Sequence, residues 1–431
     1  MKTISVNELT DSVNSNLPRE VKSFIAKNVL TEEKNPETAK SIFSQLVVNL
    51  STKTQREVIN ATGTVLHTNL GRSPNHLSFP GRYSNVEYDL KNLSRGNRNE
   101  YLSLLMNNLI GSEDIAFVNN NASSLYLSLK AISKSNNIDN VIISRGEIIE
   151  IGGSYRLPEI IEETDLELVE IGTTNKTKLS DYSKALKKYP NSIILKVHRS
   201  NFSISGFTEE VSMSALASLK KEFDVLIFHD LGSGLVVDKK FLEVNEVSVF
   251  KNEPTVQDSL KSGADLVMFS GDKLFGSVQS GMIAGRKELI NEVKNYSLFR
   301  TYRCSPVTLF ELQETVLKYI NKEEKDIPFW NLITTSYSSL KIRCENISKS
   351  ISYSSKIERG QSVIGGGTLP GITLESPVLV INDKKSENII NQLINSDCPV
   401  IPRVLKNQVC LDLRSVFDDQ DQKIIEALNN S

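Results

Sequence analysis

After residue 57 the chain repeats one pattern: a short run of β-branched and other apolar residues closes on small or polar residues, and a stretch with helical spacing follows. Ile115-Ala116-Phe117-Val118, running into Asn119-Asn120-Asn121-Ala122-Ser123-Ser124, is one instance. Further strands are expected at residues 141–144, 166–169, 193–197, 225–230 and 266–270. Repeated strand-then-helix units pack as a mostly parallel α/β sheet with helices over it. Each expected strand ends where polar residues cluster, the edge at which such sheets take ligands.

Three regions are expected. Residues 1–56 form a small helical arm, with a helix start at Leu17-Pro18-Arg19-Glu20 and apolar residues Val21, Phe24, Ile25 and Val29 at helical spacing. Residues 57–310 form the large sheet domain. Residues 311–431 form a smaller α/β domain that runs past Trp330 and the turn Gly365-Gly366-Gly367-Thr368-Leu369-Pro370. That turn has no following Lys-Ser or Lys-Thr, so it is not a nucleotide-binding loop.

Composition narrows the function classes. The 431 residues carry 50 Lys+Arg against 52 Asp+Glu, a net charge of −2, so no global field advertises nucleic acid or membrane and any such partner must use a local patch. The longest apolar runs fall far short of the roughly 18 residues that span a bilayer, and the polar start Met1-Lys2-Thr3-Ile4-Ser5-Val6-Asn7-Glu8 does not read as a secretory signal. A cytoplasmic location without membrane contact is expected. Cys304, Cys344, Cys398 and Cys410 form no paired motif, and His67, His76, His198 and His229 lack metal-ligand spacing, so reduced thiols and no metal are expected.

Ser270-Gly271-Asp272-Lys273 is the sharpest chemical signal, a lysine in a tight turn directly after an apolar strand. A partly desolvated lysine there can form a Schiff base with a carbonyl cofactor. Taken alone, a solvated loop lysine explains it as well. Asp230 ends another strand and opens Leu231-Gly232-Ser233-Gly234, and pyridoxal phosphate enzymes need such a pair: a lysine for the aldehyde and a carboxylate for the ring nitrogen. Asn120, Asn121, Ala122 and Ser123, at an expected helix N-terminus, together with Ser270, would offer donors to the cofactor phosphate.

Long blocks then resemble one family. They include Val58 through Arg72 (with Asn60-Ala61-Thr62-Gly63-Thr64 and His67-Thr68-Asn69-Leu70-Gly71-Arg72), Val118-Asn119-Asn120-Asn121-Ala122, Ser144-Arg145-Gly146-Glu147, and Glu150-Ile151-Gly152-Gly153-Ser154-Tyr155-Arg156. Gly172-Thr173-Thr174-Asn175-Lys176-Thr177, Lys196-Val197-His198, Asp230-Leu231-Gly232-Ser233-Gly234 and Phe269-Ser270-Gly271-Asp272-Lys273 complete the set. In this order they resemble the bacterial L-seryl-tRNA(Sec) selenium transferases, the selenocysteine synthases.

The resemblance implies the pyridoxal-phosphate-dependent transferase fold (aspartate aminotransferase-like, fold type I), with a mostly parallel sheet, a small C-terminal α/β domain and a short N-terminal helical arm that could contact tRNA. It implies conversion of seryl-tRNA(Sec) to selenocysteinyl-tRNA(Sec) with selenophosphate, through a cofactor aldimine and a dehydroalanyl intermediate. Lys273 is then the Schiff-base lysine and α-proton base, Asp230 the partner of the ring nitrogen, and Asp272 the candidate for the proton near the leaving hydroxyl. Arg95 and Arg98, with Arg300 and Arg303, match paired-arginine motifs and become candidates for the anionic substrate. A homo-oligomer is implied: a dimer at least from the fold, and from the family resemblance a ring of five dimers.

Departures from the family pattern lie near this site: Pro74, Pro80 and Gly81 stand where members tend to carry a helix, Asn99 follows Arg98, and Cys304-Ser305-Pro306 follows Arg303. They leave open a paralogue that performs β-elimination on a small amino acid or amino-sugar acid. For His67 and His198 a structural hydrogen bond is the plainer role, and for Glu147 and Glu150 an ion-pair network beside Arg145 and Arg156.

Overall fold

The computed structural model describes residues 4–79, 81–152, 155–365, 367–382 and 386–429. Pro80, Gly153, Ser154 and Gly366, singled out in the sequence, lie outside them.

Two compact units result, Met1–Val58 and Ile59–Ser431. In the first, helices Val6–Asp11, Arg19–Glu32 and Pro36–Thr52 surround Leu9, Ala26, Val29, Ala39, Phe43 and Val47. Local rules set their starts. Ser5 and Glu8 form a reciprocal capping box, Pro18 precedes the second helix, and Asn35 caps the third ahead of Pro36. Phe24, expected on the apolar face, is exposed; Ala26 and Val29 carry the burial.

In the second unit, seven strands form one sheet in the order Asp114–Val118, Gly281–Gly285, Leu266–Ser270, Leu226–Gly232, Ser192–Val197, Asn140–Ser144, Glu167–Ile171. Every pairing is parallel except the two made by Gly281–Gly285. Both faces are buried, which explains why the strands read as continuous apolar runs. Ile227, Val267, Phe269 and Met282 enter one core, while their neighbours Phe228, Leu266, Met268 and Ile283 enter the other.

A six-stranded sheet takes its two edges from one short segment. Ile59–Ala61 pairs with Val400–Leu405, and Thr64–Leu66 pairs with Ser355–Gly365 at the opposite edge. Gly63 makes this possible: its φ is +75°, and a Cβ there would stand 2.1 Å from Oδ2 of buried Asp412. Helices Tyr337–Ser350, Ser386–Ile394 and Asp421–Asn429 contribute to this sheet's core. The boundary expected near residue 311 falls inside helix Pro306–Asn321, which packs into the large-sheet core through Leu312, Val316 and Tyr319. Among the described residues no helix is long and apolar enough to cross a membrane, and no cluster of three metal-ligating side chains occurs.

Candidate active site

The strand Leu266–Ser270 delivers Lys273 through a turn whose backbone is bonded on several sides. Gly271 N donates to Ser280 O at 3.0 Å, Leu274 N to Ser233 O at 2.9 Å, and Gly276 N to Lys273 O at 3.0 Å. Behind the turn, Tyr319 OH donates to Phe275 O at 2.7 Å and Trp330 Nε1 donates to Tyr319 OH at 2.8 Å. The turn is therefore rigid, and Lys273 is buried within it.

Its side chain lines a cavity of about 280 Å³ together with Asp230, Ser270, Asn120, Asn121 and Ala122. These expected residues come from three separate sheet-edge segments, all at the strand ends where such sheets bind ligands. Burial and the neighbouring Arg72 guanidinium push the Lys273 amine below the usual lysine range. Burial pushes the Asp230 carboxyl up, against a hydrogen bond from Asn121 Nδ2 to its Oδ1 at 2.8 Å and the charge of Lys273. His229, next to Asp230 on the strand, is held neutral by burial.

Asn120 caps helix Asn121–Asn136, its Oδ1 accepting from Ser123 N at 2.9 Å. Ser123 Oγ donates to Asn119 Oδ1 at 2.7 Å, so this hydroxyl, expected at the phosphate, is engaged in the cap and does not line the cavity. The N–H groups of Asn121 and Ala122 occupy the first two helical positions, where no intrahelical acceptor exists, and can serve an anion.

Asp272 also departs from expectation. Its carboxylate accepts from Arg72 at 2.8 Å and is buried behind it; Arg72, not Asp272, lines the cavity. Arg72 follows Gly71 with its own φ at +64°, a left-handed backbone that a non-glycine residue holds at a cost of about 1–3 kcal/mol. Sequence reasoning gave no role to Arg72, Tyr155, Ser200 or Gln279, all lining residues. The adjacent Gly71-Arg72 pair was the one readable signal for Arg72.

Pyridoxal phosphate, implied by the resemblance, fits these residues. Gly232 leaves space where a Cβ would stand 3.9 Å from Lys273 Nζ and 3.4 Å from Ser200 Oγ. Asn121 Oδ1 and Tyr155 OH are buried in the cavity wall with no hydrogen-bond partner among the described residues, an unsatisfied pair that a polar ligand would engage.

The four expected arginines meet elsewhere. Arg95, Arg98, Arg300 and Arg303 line a second cavity of about 870 Å³ that shares no lining residue with the first. Arg98 NH1 donates to Glu87 at 2.8 Å, Arg303 lies 3.4 Å and Arg95 3.6 Å from the same carboxylate, and together they hold Glu87 below the usual carboxylate range, with the Arg98 hydrogen bond the largest cause. Three guanidinium groups on one carboxylate leave excess positive charge for an anion. Of the glutamates, Glu147 pairs with Lys196 at 2.9 Å and Glu150 with Arg156 at 2.8 Å, so both sit in ion pairs; His198 hydrogen-bonds Glu253.

The fold, with a buried lysine and a buried carboxylate in one cavity at the strand ends, defines an α/β protein of the sheet-edge ligand-binding kind. A family model described as SelA, L-seryl-tRNA selenium transferase, matches residues 58–417. The chain belongs to this family. It is similar to the L-seryl-tRNA(Sec) selenium transferase of Campylobacter fetus, 38% identical over 422 residues that cover 94% of this chain and 92% of that protein. A Clostridium botulinum protein of the same name is 36% identical over 445 residues, 99% and 92% of the two chains. Among solved structures, D-glucosaminate-6-phosphate ammonia-lyase shares the fold with a TM-score of 0.59 at 17% identity, covering 90% of this chain and 97% of that one.

Proposed function

We propose that this protein is a pyridoxal-phosphate-dependent transferase that converts L-seryl-tRNA(Sec) to L-selenocysteinyl-tRNA(Sec) with selenophosphate. The observation that carries the reading is Lys273, buried, with its amine pushed toward the neutral nucleophilic form, in one cavity with Asp230. Bound there, the cofactor supplies an aldehyde for attachment and a ring that draws electron density from the substrate α-carbon.

The protein's own groups do the rest. Lys273 Nζ holds the cofactor and, once released, takes the serine α-proton. Asp230 retains the proton on the ring nitrogen, with Asn121 orienting its carboxylate. The N–H groups of Asn121 and Ala122, with Ser270, hold the phosphate, and Asn120 and Ser123 keep that helix end in shape. Asp272, expected at the leaving hydroxyl, instead holds the Arg72 guanidinium at the cavity wall. Arg95, Arg98, Arg300 and Arg303 hold the selenium donor, whose phosphate oxygens suit the guanidinium fork. The reading includes a homo-oligomer in which one protomer's arginines serve another's Lys273. The Met1–Val58 unit is assigned to tRNA contact, and the reaction to the cytoplasm.

The test is spectroscopic. Protein loaded with pyridoxal phosphate is offered seryl-tRNA(Sec), then free serine and a small amino-sugar acid. A change in cofactor absorbance with seryl-tRNA(Sec) alone supports the reading. A change only with the small molecules overturns it in favour of a lyase.

A further inference from the structure

His198 stands in a wall between two cavities. It lines the Lys273 cavity and also a third one of about 500 Å³, which reaches Glu253, Lys196 and Leu369 on its other side. The position follows from topology: His198 comes directly after strand Ser192–Val197, and its backbone N donates to Asp230 O at 2.9 Å. Its Nε2 lies 3.1 Å and 3.2 Å from the two carboxylate oxygens of Glu253. A carboxylate can only accept, so Nε2 carries the hydrogen, and in the neutral ring Nδ1 is the acceptor.

Glu253 itself is buried, and among the described residues only His198 hydrogen-bonds its side chain, while its charge also acts on Lys273. Of the nearby cations, Lys196 is paired with Glu147 and Arg199 with Glu210. A buried carboxylate paired to a single imidazole is costly to keep for packing alone. No hydrogen bond among the described residues engages His198 Nδ1.

We propose that Glu253 is a positioning residue of the Lys273 site: by accepting the Nε2 hydrogen it fixes the tautomer and orientation of His198, leaving Nδ1 as the acceptor available at the cavity. The inference rests on the selenium-transfer reading of that cavity. A polar hydrogen of the bound substrate then meets a lone pair held in place by a group two contacts away.

The chain has four histidines, which makes the tautomer measurable. Full-length, cofactor-free protein labelled with 15N-histidine is studied by solid-state NMR, with His198 assigned by the signal lost in His198→Asn. The expected wild-type state is the Nε2–H tautomer; Glu253→Gln is expected to give a mixture. In the loaded enzyme, Glu253→Gln is expected to lower kcat by about ten- to a hundredfold with KM for seryl-tRNA(Sec) unchanged, and Glu253→Asp to recover part of both losses. A packing role alone would move the melting temperature and leave the tautomer in place. An Nδ1–H tautomer in the wild type overturns the proposal, as does wild-type kcat in Glu253→Gln. If Glu253→Gln does not fold, wild-type kcat in His198→Asn overturns it equally. A wild type that shows the Nε2–H tautomer but leaves seryl-tRNA(Sec) unchanged sinks the transferase reading while upholding the Glu253–His198 assignment.

Discussion

Lys273 and Asp230 are pressed toward neutrality by the same burial, in opposite directions on the pH scale. Within the interval between its depressed value and the ordinary value of about 10.4, Lys273 is less protonated folded than unfolded. It therefore lowers stability at neutral pH, and that loss fades as pH rises through the interval. Lys273→Met is expected to raise the melting temperature of the cofactor-free protein by about 1–3 °C while abolishing cofactor capture, as read by calorimetry and absorbance. Arg72 contributes to the depression, so Arg72→Ala should let the lysine hold its proton more tightly and displace the pH profile of cofactor attachment to higher pH. An unchanged profile would remove Arg72 from this role. Asp230→Asn should leave the protein folded, since Asn121 can still donate to an amide oxygen, yet cut turnover about a hundredfold or more. That Lys273 and Asp230 meet in one cavity was legible because a lysine turn and a strand-ending aspartate are local patterns. Arg72 and Glu253 were not, because what places them is a contact made across some 50 to 200 residues of chain, as in Arg72–Asp272 and His198–Glu253; Tyr155 reaches the cavity wall only through the fold.

At the scale of elements, the parallel strands were readable because each is a buried apolar run ending in polar residues, and all six expected strands occur to within a few residues. Gly281–Gly285 was not, because its bounding glycines read as loop. It is nevertheless fully buried and makes the sheet's two antiparallel pairings. The strands at 59–66 were expected with the large domain and join the other sheet, a placement that depends on Asp412 and Ser415 far along the chain. Gly63→Ala tests that crossover. It is expected to cost on the order of 2–4 kcal/mol in chemical denaturation, since the left-handed φ and the Asp412 contact both oppose a Cβ. A loss below about 0.5 kcal/mol would mean the crossover can relax. Asn120→Ala, which removes the cap of the 16-residue helix behind the cavity, is expected to cost about 1 kcal/mol and to weaken cofactor retention through the same helix end.

For the whole molecule, the division at Val58 separates a three-helix unit with its own small core from a unit that contains both the Lys273 and the arginine cavities. A fragment covering 59–431 is therefore expected to fold and capture pyridoxal phosphate at Lys273 but to lose seryl-tRNA(Sec)-dependent turnover. A fragment that keeps full turnover would take tRNA contact away from the helical unit. The net charge of −2 had given no hint of an anionic substrate, because a whole-chain sum hides a local cluster such as the arginines around Glu87. The family likeness adds what no single charge count could, since the chain shares more than a third of its residues with selenium transferases over nearly its whole length. The most direct measurement is transfer of labelled selenium from selenophosphate to seryl-tRNA(Sec) by the purified, cofactor-loaded protein, beside Lys273→Ala. The expected result is selenocysteinyl-tRNA(Sec) from the wild type and none from the variant; protein that holds its cofactor on Lys273 and still yields no selenium-labelled tRNA would contradict it.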